Sequence, residues 1–317
     1  MRKFKLTLPV IFILSFLFGC RSENPKESDT PTTGKITISV DETFKPVIDS
    51  EIDTFEKIYE YAKIDVNYRP EAEAMADLLS DSARLVILTR KFTKEENSYF
   101  EKREIAPIVR KIAYDAIAVI VNNANTDTLM SMQNFRDIMS GKISRWSGVS
   151  GKSALSNIQI VFDNQNSSTV RYVKEKINNS PLAKSTYAVK DNPSVVDYVS
   201  KNRNAVGIIG VNWISDKADT LTHGFLKKIK VVALASDTAQ AGEYYQPYQA
   251  YIAQKIYPLW REVYVLSGEA RAGLGSGFIS FLASDRGQRI ILKSGLVPAT
   301  MPVRLVEIRS ENINITK

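Results

Sequence analysis

The sequence predicts an α/β protein in which parallel strands are flanked by helices. Three observations support this fold class: apolar residues alternate with polar ones over 36–40 and 64–68, apolar residues recur at helical spacing between those two segments, and residues 85–88 are all apolar. Strands separated by helices cannot pair as tight hairpins, so this order indicates parallel pairing with helices on the faces of the sheet. The 317 residues are enough for two such units.

The N-terminus has the parts of an export signal. Three basic residues among the first five precede the apolar run 6–18, which is shorter than the ~20 residues that a helix needs to cross a bilayer. Cys20 follows a glycine at the end of this run, in a position that resembles a bacterial lipobox, and it is the only cysteine of the chain. The sequence therefore predicts a signal peptide over 1–19 and a lipid anchor on Cys20.

The next segment and the overall charge limit the kinds of partner. Residues 20–34 are rich in Ser, Glu, Pro, Thr and Lys without apolar periodicity, so they are expected to form a flexible, lipidated tether. Removing the three basic residues of the signal lowers the formal charge from +7 to +4 (7 − 3). No basic run is interleaved with aromatic residues, so the composition argues against nucleic acid and favours a small anion.

The first half of the chain alternates strand and helix patterns up to a polar break over 122–128. Strands are predicted around 36–40, 64–68 and 85–88, helices around 44–62 and 72–79, and 116–121 is another apolar run. Thr93 with Glu96 three residues later matches a capping box that opens a further helix. Ligands of parallel sheets bind beyond the C-terminal ends of strands, which makes the loops 41–43 and 89–90 candidates. For each loop taken singly, the local sequence favours an ordinary exposed loop.

A second α/β pattern begins after this break. Helices are predicted around 131–139, 168–178, 194–201, 272–283 and 285–293, and strands or apolar runs around 158–162, 205–209, 229–233, 248–253 and 263–266. The three tryptophans, Trp146, Trp213 and Trp260, are expected to pack in the interior. His223 is the only histidine, so metal sites built from several histidines and cysteines are excluded, and a Ser-His-Asp triad would depend on one remote residue.

The segment 162–171 is a polar stretch between an apolar run and a helical pattern. Ser167, Ser168 and Thr169 stand where the helix begins, so their hydroxyl and N–H groups, with the positive end of the helix dipole, could hold an anion. The same residues fit an ordinary N-cap, and the local sequence alone favours the N-cap.

Several further motifs are specific in their combined order and spacing. Residues 88–93 with 95–96 (LTRKFT, EE) are similar to SSRPLT.EE, and residues 140–147 (SGKISRWS) are similar to FSGKITNWS. The other matching segments are 114–122, 205–209, 257–259, 287–288 and 295–298. Through these residues the chain resembles, over most of 35–300, the phosphate-binding (PstS-type) substrate-binding proteins of ABC transporters.

That resemblance implies a type 2 periplasmic-binding-protein fold, with two α/β lobes, mixed and mostly parallel sheets flanked by helices, and two crossover hinge segments. The crossovers are expected near 116–122 and 244–253, which gives lobe one as 35–118 plus 248–317 and lobe two as 119–247. A ligand is expected in the cleft between the lobes, held by hinge closure.

The resemblance also implies which residues bind the ligand. Carried over position by position, these are Thr43, Thr89, Arg90, Asn166, Ser167, Ser168 and Thr169, with Arg171 as a further candidate. Hydroxyl and N–H groups suit an oxyanion, and the planar charged fork of Arg90 suits a tetrahedral one. Ser168 stands where the family usually has glycine, so its side chain crowds the approach.

Acidic residues depart from the family pattern at three places. Asp163 replaces an anion-binding arginine, Asp41 and Glu42 replace glycine and small residues, and Glu71 lies near an expected hydroxyl. A carboxylate ~4 Å from an anion costs about 4 kcal/mol per charge pair at an effective dielectric constant of 20. Phosphate affinity is therefore expected to be low unless these side chains turn away or pair with a cation such as Arg171. Alternatively, the acidic residues are compatible with a ligand that is less negatively charged than phosphate, or with a cation.

The export signal and the resemblance together imply a lipid-anchored, extracytoplasmic solute-binding protein that captures phosphate or a related oxyanion for an ABC-type transporter. It is expected to be a monomer that contacts a membrane permease, with no cofactor, metal or nucleic acid, and to catalyse no reaction. The alternative is an envelope interaction or sensor protein that keeps the fold but has lost or changed ligand binding, as the acidic residues Asp41, Glu42 and Asp163 would allow.

Overall fold

A computed structural model describes residues 28–151, 153–215, 220–269 and 271–302. Its strands are β1 (Gly34–Asp41), β2 (Ala62–Arg69), β3 (Leu85–Leu88), β4 (Ile108–Asn122), β5 (Leu129–Ser131), β6 (Gln159–Phe162), β7 (Thr186–Ala188), β8 (Ala205–Gly210), β9 (Ile229–Val231), β10 (Ala233–Ala235), β11 (Trp260–Ser267) and β12 (Val297–Pro298). Its helices are α1 (Lys45–Ile58), α2 (Glu71–Leu79), α3 (Lys94–Glu101), α4 (Met132–Met139), α5 (Ser147–Ser150), α6 (Ser168–Lys176), α7 (Asn192–Lys201), α8 (Asn212–Ser215), α9 (Thr220–Leu226), α10 (Gln249–Ala253), α11 (Leu274–Leu282) and α12 (Asp285–Lys293). A 3-10 turn (Glu42–Phe44) joins β1 to α1.

Most strands form one mixed sheet in the order β2-β1-β3-β11-β4-β8-β6-β7, with β9 and β12 attached to β4. The strands β1, β2 and β3 are parallel, as the strand-helix alternation predicts, and so are β6, β7 and β8. Antiparallel pairing occurs where β11 meets β3 and β4, and where β4 meets β8. We call the half with β1–β3 and β11 lobe one and the half with β6–β8 lobe two.

A single long strand, β4, passes through both lobes. Its residues 108–116 pair with β11 of lobe one, and its residues 117–121 pair with β8 of lobe two. The returning chain is fixed beside the changeover, because the N–H of Ile117 donates to the carbonyl of Leu259 and the Tyr257 hydroxyl donates to the carbonyl of Ile117 at 2.8 Å. The expected first crossover, 116–122, is therefore the C-terminal half of a continuous strand.

Two segments differ from the sequence-based predictions. Residues 249–253 form the helix α10 and not a strand, because Tyr251 packs its ring against Tyr248 one turn earlier and against Tyr245. The first half of β4, residues 108–115, has no strand prediction at all. Arg110, Lys111 and Asp115 interrupt its apolar residues, so the continuous apolar run that marks the second half is missing.

The predicted signal peptide, Cys20 and the first part of the tether lie outside the described residues. The last part of the tether, 28–34, contacts the folded body. The Asp29 carboxylate accepts a hydrogen bond from the Leu274 N–H at 2.9 Å, at the start of α11, and pairs with Arg271 at 2.8 Å. A carboxylate at a helix N-terminus is favoured by the helix dipole, so the chain is held to lobe one from Asp29 onward.

Trp146 and Trp213 pack in the interior as predicted, and Trp260 is partly buried against the core. Trp146 is fully buried and donates from Nε1 to the carbonyl of Asn204 at 3.0 Å, Trp213 is buried in α8, and Trp260 packs edge-on against Tyr114. None of the helices in the described part of the chain has the length and apolar character needed to cross a membrane.

Glu51 is an unusual residue of the lobe-one interior. It lies on the buried face of α1 beside Ile48 and Ile52, and neither of its carboxylate oxygens has a hydrogen-bond partner among the described residues. Burial raises the pKa of Glu51 to about 9. The folded protein therefore keeps this carboxyl protonated at neutral pH, whereas the unfolded chain releases the proton near pH 4.5.

Glu51 is expected to make the folded state less stable as the pH rises between about 4.5 and 9, because the unfolded state then binds fewer protons. Between pH 5.5 and 7.0 the free energy of unfolding of the wild type should fall by about 2 kcal/mol more than that of E51Q. Urea denaturation at the two pH values measures this difference. The exposed Glu60 of the same region supplies the control E60Q, which should follow the wild type; parallel curves for E51Q and the wild type would refute the prediction.

Candidate functional site

The ends of β1, β3 and β6 bring polar loops together in the interior between the lobes. Asp41 ends β1, Thr89 follows β3 and Asp163 follows β6, and all three side chains are buried. Parallel strands place their C-terminal ends at one edge of the sheet, which is where ligands bind in such folds. The structure thus brings together loops that are far apart in the chain.

The helix α6 begins at this edge, and its first residues include both an N-cap and a hydroxyl group without a partner. Ser167 is the N-cap, since its Oγ accepts from the Val170 N–H at 3.3 Å, and it also donates to Asp163 Oδ1 at 2.7 Å. Asn166 is exposed, and its N–H closes a turn on Asn164 Oδ1 at 2.9 Å. Thr169 is fully buried, and its Oγ1 has no hydrogen-bond partner among the described residues. The free hydroxyl of this segment therefore belongs to Thr169.

Arg261 lies at the centre of the site and was not among the residues predicted from the sequence. Its Nε donates to Asp115 Oδ2 at 2.7 Å, and its Nη1 donates to Ser168 Oγ of lobe two at 3.0 Å. Both charged side chains are buried, 3% exposed for Arg261 and 0% for Asp115, and Nη2 of Arg261 has no partner among the described residues. Arg261 stands beside Glu262 in β11, two residues after the segment 257–259, so no local pattern marked it as a site residue.

Thr43 approaches lobe two closely from the other side. A Cβ atom at Gly210 of β8 would lie 2.3 Å from Thr43 Cγ2, so only glycine permits this contact, and Asn212 Nδ2 donates to the Thr43 carbonyl at 3.0 Å. Asp41 Oδ1 accepts from the Thr43 N–H at 3.0 Å. The Thr43 Oγ1 and Asp41 Oδ2 atoms are buried without a partner in the described part of the chain.

Four carboxyl groups of the site have raised pKa values. One is Asp115, whose pKa is raised by burial against the charge and the hydrogen bond of Arg261. Burial, with the charge of Glu71 next in size, raises the pKa of Asp41. Burial also raises the pKa of Glu42 to about 8 and that of Asp163 to about 6, even though Asn192 donates to Glu42 at 2.7 Å and Ser167 donates to Asp163. At neutral pH Glu42 is therefore mostly neutral, whereas Asp163 carries a charge.

A second group of residues lies around Glu71, at the start of α2. Glu71 Oε2 accepts from the Thr89 N–H at 3.0 Å and from Thr89 Oγ1 at 2.7 Å, and Oε1 accepts from Arg171 Nε of lobe two at 2.5 Å. Arg90 directs its guanidinium to Glu96, with contacts of 2.6 and 2.8 Å, and only its Nε lies 3.7 Å from Glu71. We call Glu71, Thr89 and Arg171 the Glu71 cluster.

The predicted ligand-binding residues thus fall into three groups. Thr43, Ser168 and Thr169 are buried, and of these Ser168 accepts a hydrogen bond from Arg261. Thr89 and Arg171 surround Glu71, and Ser167, Arg90 and Asn166 are engaged elsewhere. Within the described residues, no group of three or more histidine, cysteine, aspartate or glutamate side chains is arranged to hold a metal ion.

The fold and the site define a class: a two-lobed α/β protein with a buried polar cleft where the lobes meet. A family model described as a PBP superfamily domain matches residues 25–286. The chain therefore belongs to the PBP superfamily.

Curated relatives are similar along most of their length. The phosphate-binding protein PstS of Borreliella burgdorferi is 22% identical over 306 residues, covering 92% of this chain and 98% of the relative. The protein of the same name from Staphylococcus aureus is 23% identical over 277 residues, covering 86% of this chain and 81% of the relative. The resemblance to PstS-type proteins is confirmed.

Solved structures agree with the fold. A substrate-binding protein from Clostridium perfringens, crystallised with bound phosphate, has a TM-score of 0.68 at 21% identity. The match covers 84% of this chain and 99% of that protein. An ABC-type phosphate transport receptor from Vibrio cholerae has a TM-score of 0.63 at 21% identity. The match covers 84% of this chain and 100% of that receptor. The two-lobed periplasmic-binding-protein fold predicted from the motifs is confirmed.

Proposed function

We propose that this protein is the extracytoplasmic solute-binding protein of an ABC-type transporter, and that it binds phosphate or a related tetrahedral oxyanion in the interlobe cleft. Its relatives from Borreliella burgdorferi and Staphylococcus aureus are named as phosphate-binding proteins and not as enzymes, in agreement with the expectation that the chain catalyses no reaction. On this proposal Cys20 carries the lipid that keeps the protein at the envelope, close to a membrane permease.

The supporting observation is a set of three buried donors without partners among the described residues: Thr43 Oγ1, Thr169 Oγ1 and Arg261 Nη2. Buried polar groups are almost always hydrogen-bonded, and leaving one unpaired costs about 1–3 kcal/mol. Thr43 and Arg261 belong to lobe one and Thr169 belongs to lobe two, and Arg261 also donates to Ser168, the neighbour of Thr169. One ligand with several acceptor oxygens would satisfy all three donors and would join the lobes.

The carboxyl groups of the cleft favour an oxyanion that carries a proton. Asp41 Oδ2 is a buried acceptor without a donor in the described part of the chain, so it suits a ligand with a hydroxyl group. Glu42, with a pKa of about 8, is a neutral acid at pH 7 and adds little repulsion. These features favour hydrogen phosphate over sulfate, which is fully ionised and has no hydroxyl.

Isothermal titration of the purified protein with phosphate, sulfate and molybdate tests this function. We expect binding of phosphate, and weaker binding of sulfate. Absence of binding to all three anions would contradict the proposal and would favour the alternative of an envelope protein that keeps the fold without the ligand.

Thr169 provides a prediction that separates binding from folding. Its hydroxyl is buried without a partner among the described residues, so T169V should leave the free energy of unfolding unchanged or slightly higher, and should weaken phosphate binding about tenfold. Thr186 of β7 also has a buried hydroxyl without a partner there, but it lies at the far edge of the lobe-two sheet. T186V is therefore the matched control and should bind phosphate like the wild type. Equal affinities for the two variants would remove Thr169 from the binding site.

A further inference from the structure

The Glu71 carboxylate is surrounded by groups that ordinarily bind a free anion. It accepts from a main-chain N–H and a hydroxyl, both of Thr89, and from the guanidinium of Arg171 at 2.5 Å and 3.3 Å, while Arg90 Nε lies 3.7 Å away. Arg171 Nη2 also donates to Thr89 Oγ1 at 2.6 Å, and Nη1 donates to Glu175 at 2.5 Å. Backbone N–H, hydroxyl and guanidinium groups are the usual donors of oxyanion sites.

The contact bridges the two lobes. Glu71 begins α2 and Thr89 follows β3, both in lobe one, whereas Arg171 belongs to α6 of lobe two. The Glu71 side chain is 3% exposed. Burial alone would raise the pKa of Glu71, but the charge of Arg171 and the hydrogen bonds from Arg171 and Thr89 hold it below its usual range. The carboxylate is therefore ionised and is held by lobe-one and lobe-two donors together.

We propose that Glu71 acts as an internal anion: it occupies donors of Thr89 and Arg171 that would otherwise bind the oxyanion, and so lowers the affinity of the cleft. The inference rests on the proposed function, because the displaced ligand is the oxyanion of that proposal. A free oxyanion that uses these donors has to displace a carboxylate that is tethered beside them. The same contact joins the lobes when no ligand is bound.

Titration of the E71S variant with inorganic phosphate tests this proposal. Serine removes the competing carboxylate and leaves a hydroxyl, so E71S should bind phosphate at least about tenfold more tightly than the wild type. The control is E73S, two residues further along α2, where the glutamate is exposed and 3.9 Å from Arg69. E73S should bind phosphate like the wild type. The gain should vanish in the double variant E71S/R171A, because Arg171 is the cation that E71S releases.

The outcomes separate this proposal from the proposed function. If the wild type binds phosphate and E71S binds it equally or less tightly, the Glu71 proposal fails and the proposed function stands. If neither protein binds any oxyanion, both fail. Should E71S not fold, E71Q keeps the size of the side chain and removes its charge, and it must also bind phosphate more tightly than the wild type. A gain that survives in E71S/R171A would contradict the role given to Arg171.

Discussion

Replacing Arg261 with methionine should lower the free energy of unfolding by about 3–5 kcal/mol and abolish phosphate binding. Arg261 and Asp115 form a fully buried ion pair at 2.7 Å, and Asp41 and Asp163 are also under the influence of the Arg261 charge. Without the guanidinium, Asp115 would be a buried carboxylate without its cation. Breaking such a pair from one side costs more than the pair itself contributes, because the remaining charge has no water to replace its partner.

Denaturation in guanidinium chloride measures this effect, and Arg289 supplies the matched control. Arg289 pairs with Asp285 at 2.9 Å on the exposed surface of α12, so R289M should cost at most about 1 kcal/mol. The double variant R261M/D115L replaces the whole pair by apolar groups and should regain most of the lost stability. If R261M is as stable as R289M, the Arg261–Asp115 pair does not have a central role in stability.

Replacing Asp163 with asparagine should tighten phosphate binding about ten- to a hundredfold at pH 8. Asp163 is buried in the cleft, and asparagine keeps an oxygen that can accept from Ser167, as Asp163 Oδ1 does at 2.7 Å. The gain comes from removing a negative charge near the anion. The gain in binding free energy stays below the full Coulomb energy of the two charges, because the ligand and the side chains can move apart.

The pH dependence of this gain identifies its cause. The pKa of Asp163 is about 6, so the wild-type carboxyl is mostly neutral at pH 5 and charged at pH 8. The ratio of D163N to wild-type affinity should therefore be near 1 at pH 5 and should rise as the pH increases through the pKa of Asp163. The protonation of free phosphate is the same in both titrations and cancels in the ratio. D197N, which removes an exposed carboxylate paired with Lys201, should give a ratio near 1 at every pH. A D163N ratio independent of pH would contradict this explanation.

Features that depend on a few neighbouring residues were predictable from the sequence. Thr93 and Glu96 form the predicted capping box, each accepting from the other's backbone N–H. Ser167 caps α6, and the strands β1, β2 and β3 are parallel as predicted. Local propensity failed where tertiary contacts are present, as in α10, whose first residue Gln249 donates to the carbonyls of Leu292 and Leu296.

The site was only partly predictable. Thr43 and Thr169 were expected to bind the ligand, and both have a buried hydroxyl without a partner among the described residues. Arg90 was expected to face the ligand, but its guanidinium forms a bidentate pair with Glu96. Glu96 is within reach because it belongs to the capping box that opens the next helix. Arg261 lacked a local signal that distinguishes a buried cleft arginine from an exposed one on an edge strand, and only the position of β11 between β3 and β4 buries it.

The sequence by itself determined the α/β class, the loops at the strand ends and the presence of hydroxyl groups beside acidic residues, because periodicity, capping and motifs are properties of short segments. The tertiary structure alone decided which of these groups remain available to a ligand. Arg171 and Glu71 are 100 positions apart in the chain, and their hydrogen bond exists only because the two lobes meet. Which charges neutralise each other in the cleft is set by distances across the lobes, and those distances follow from the packing of the whole sheet.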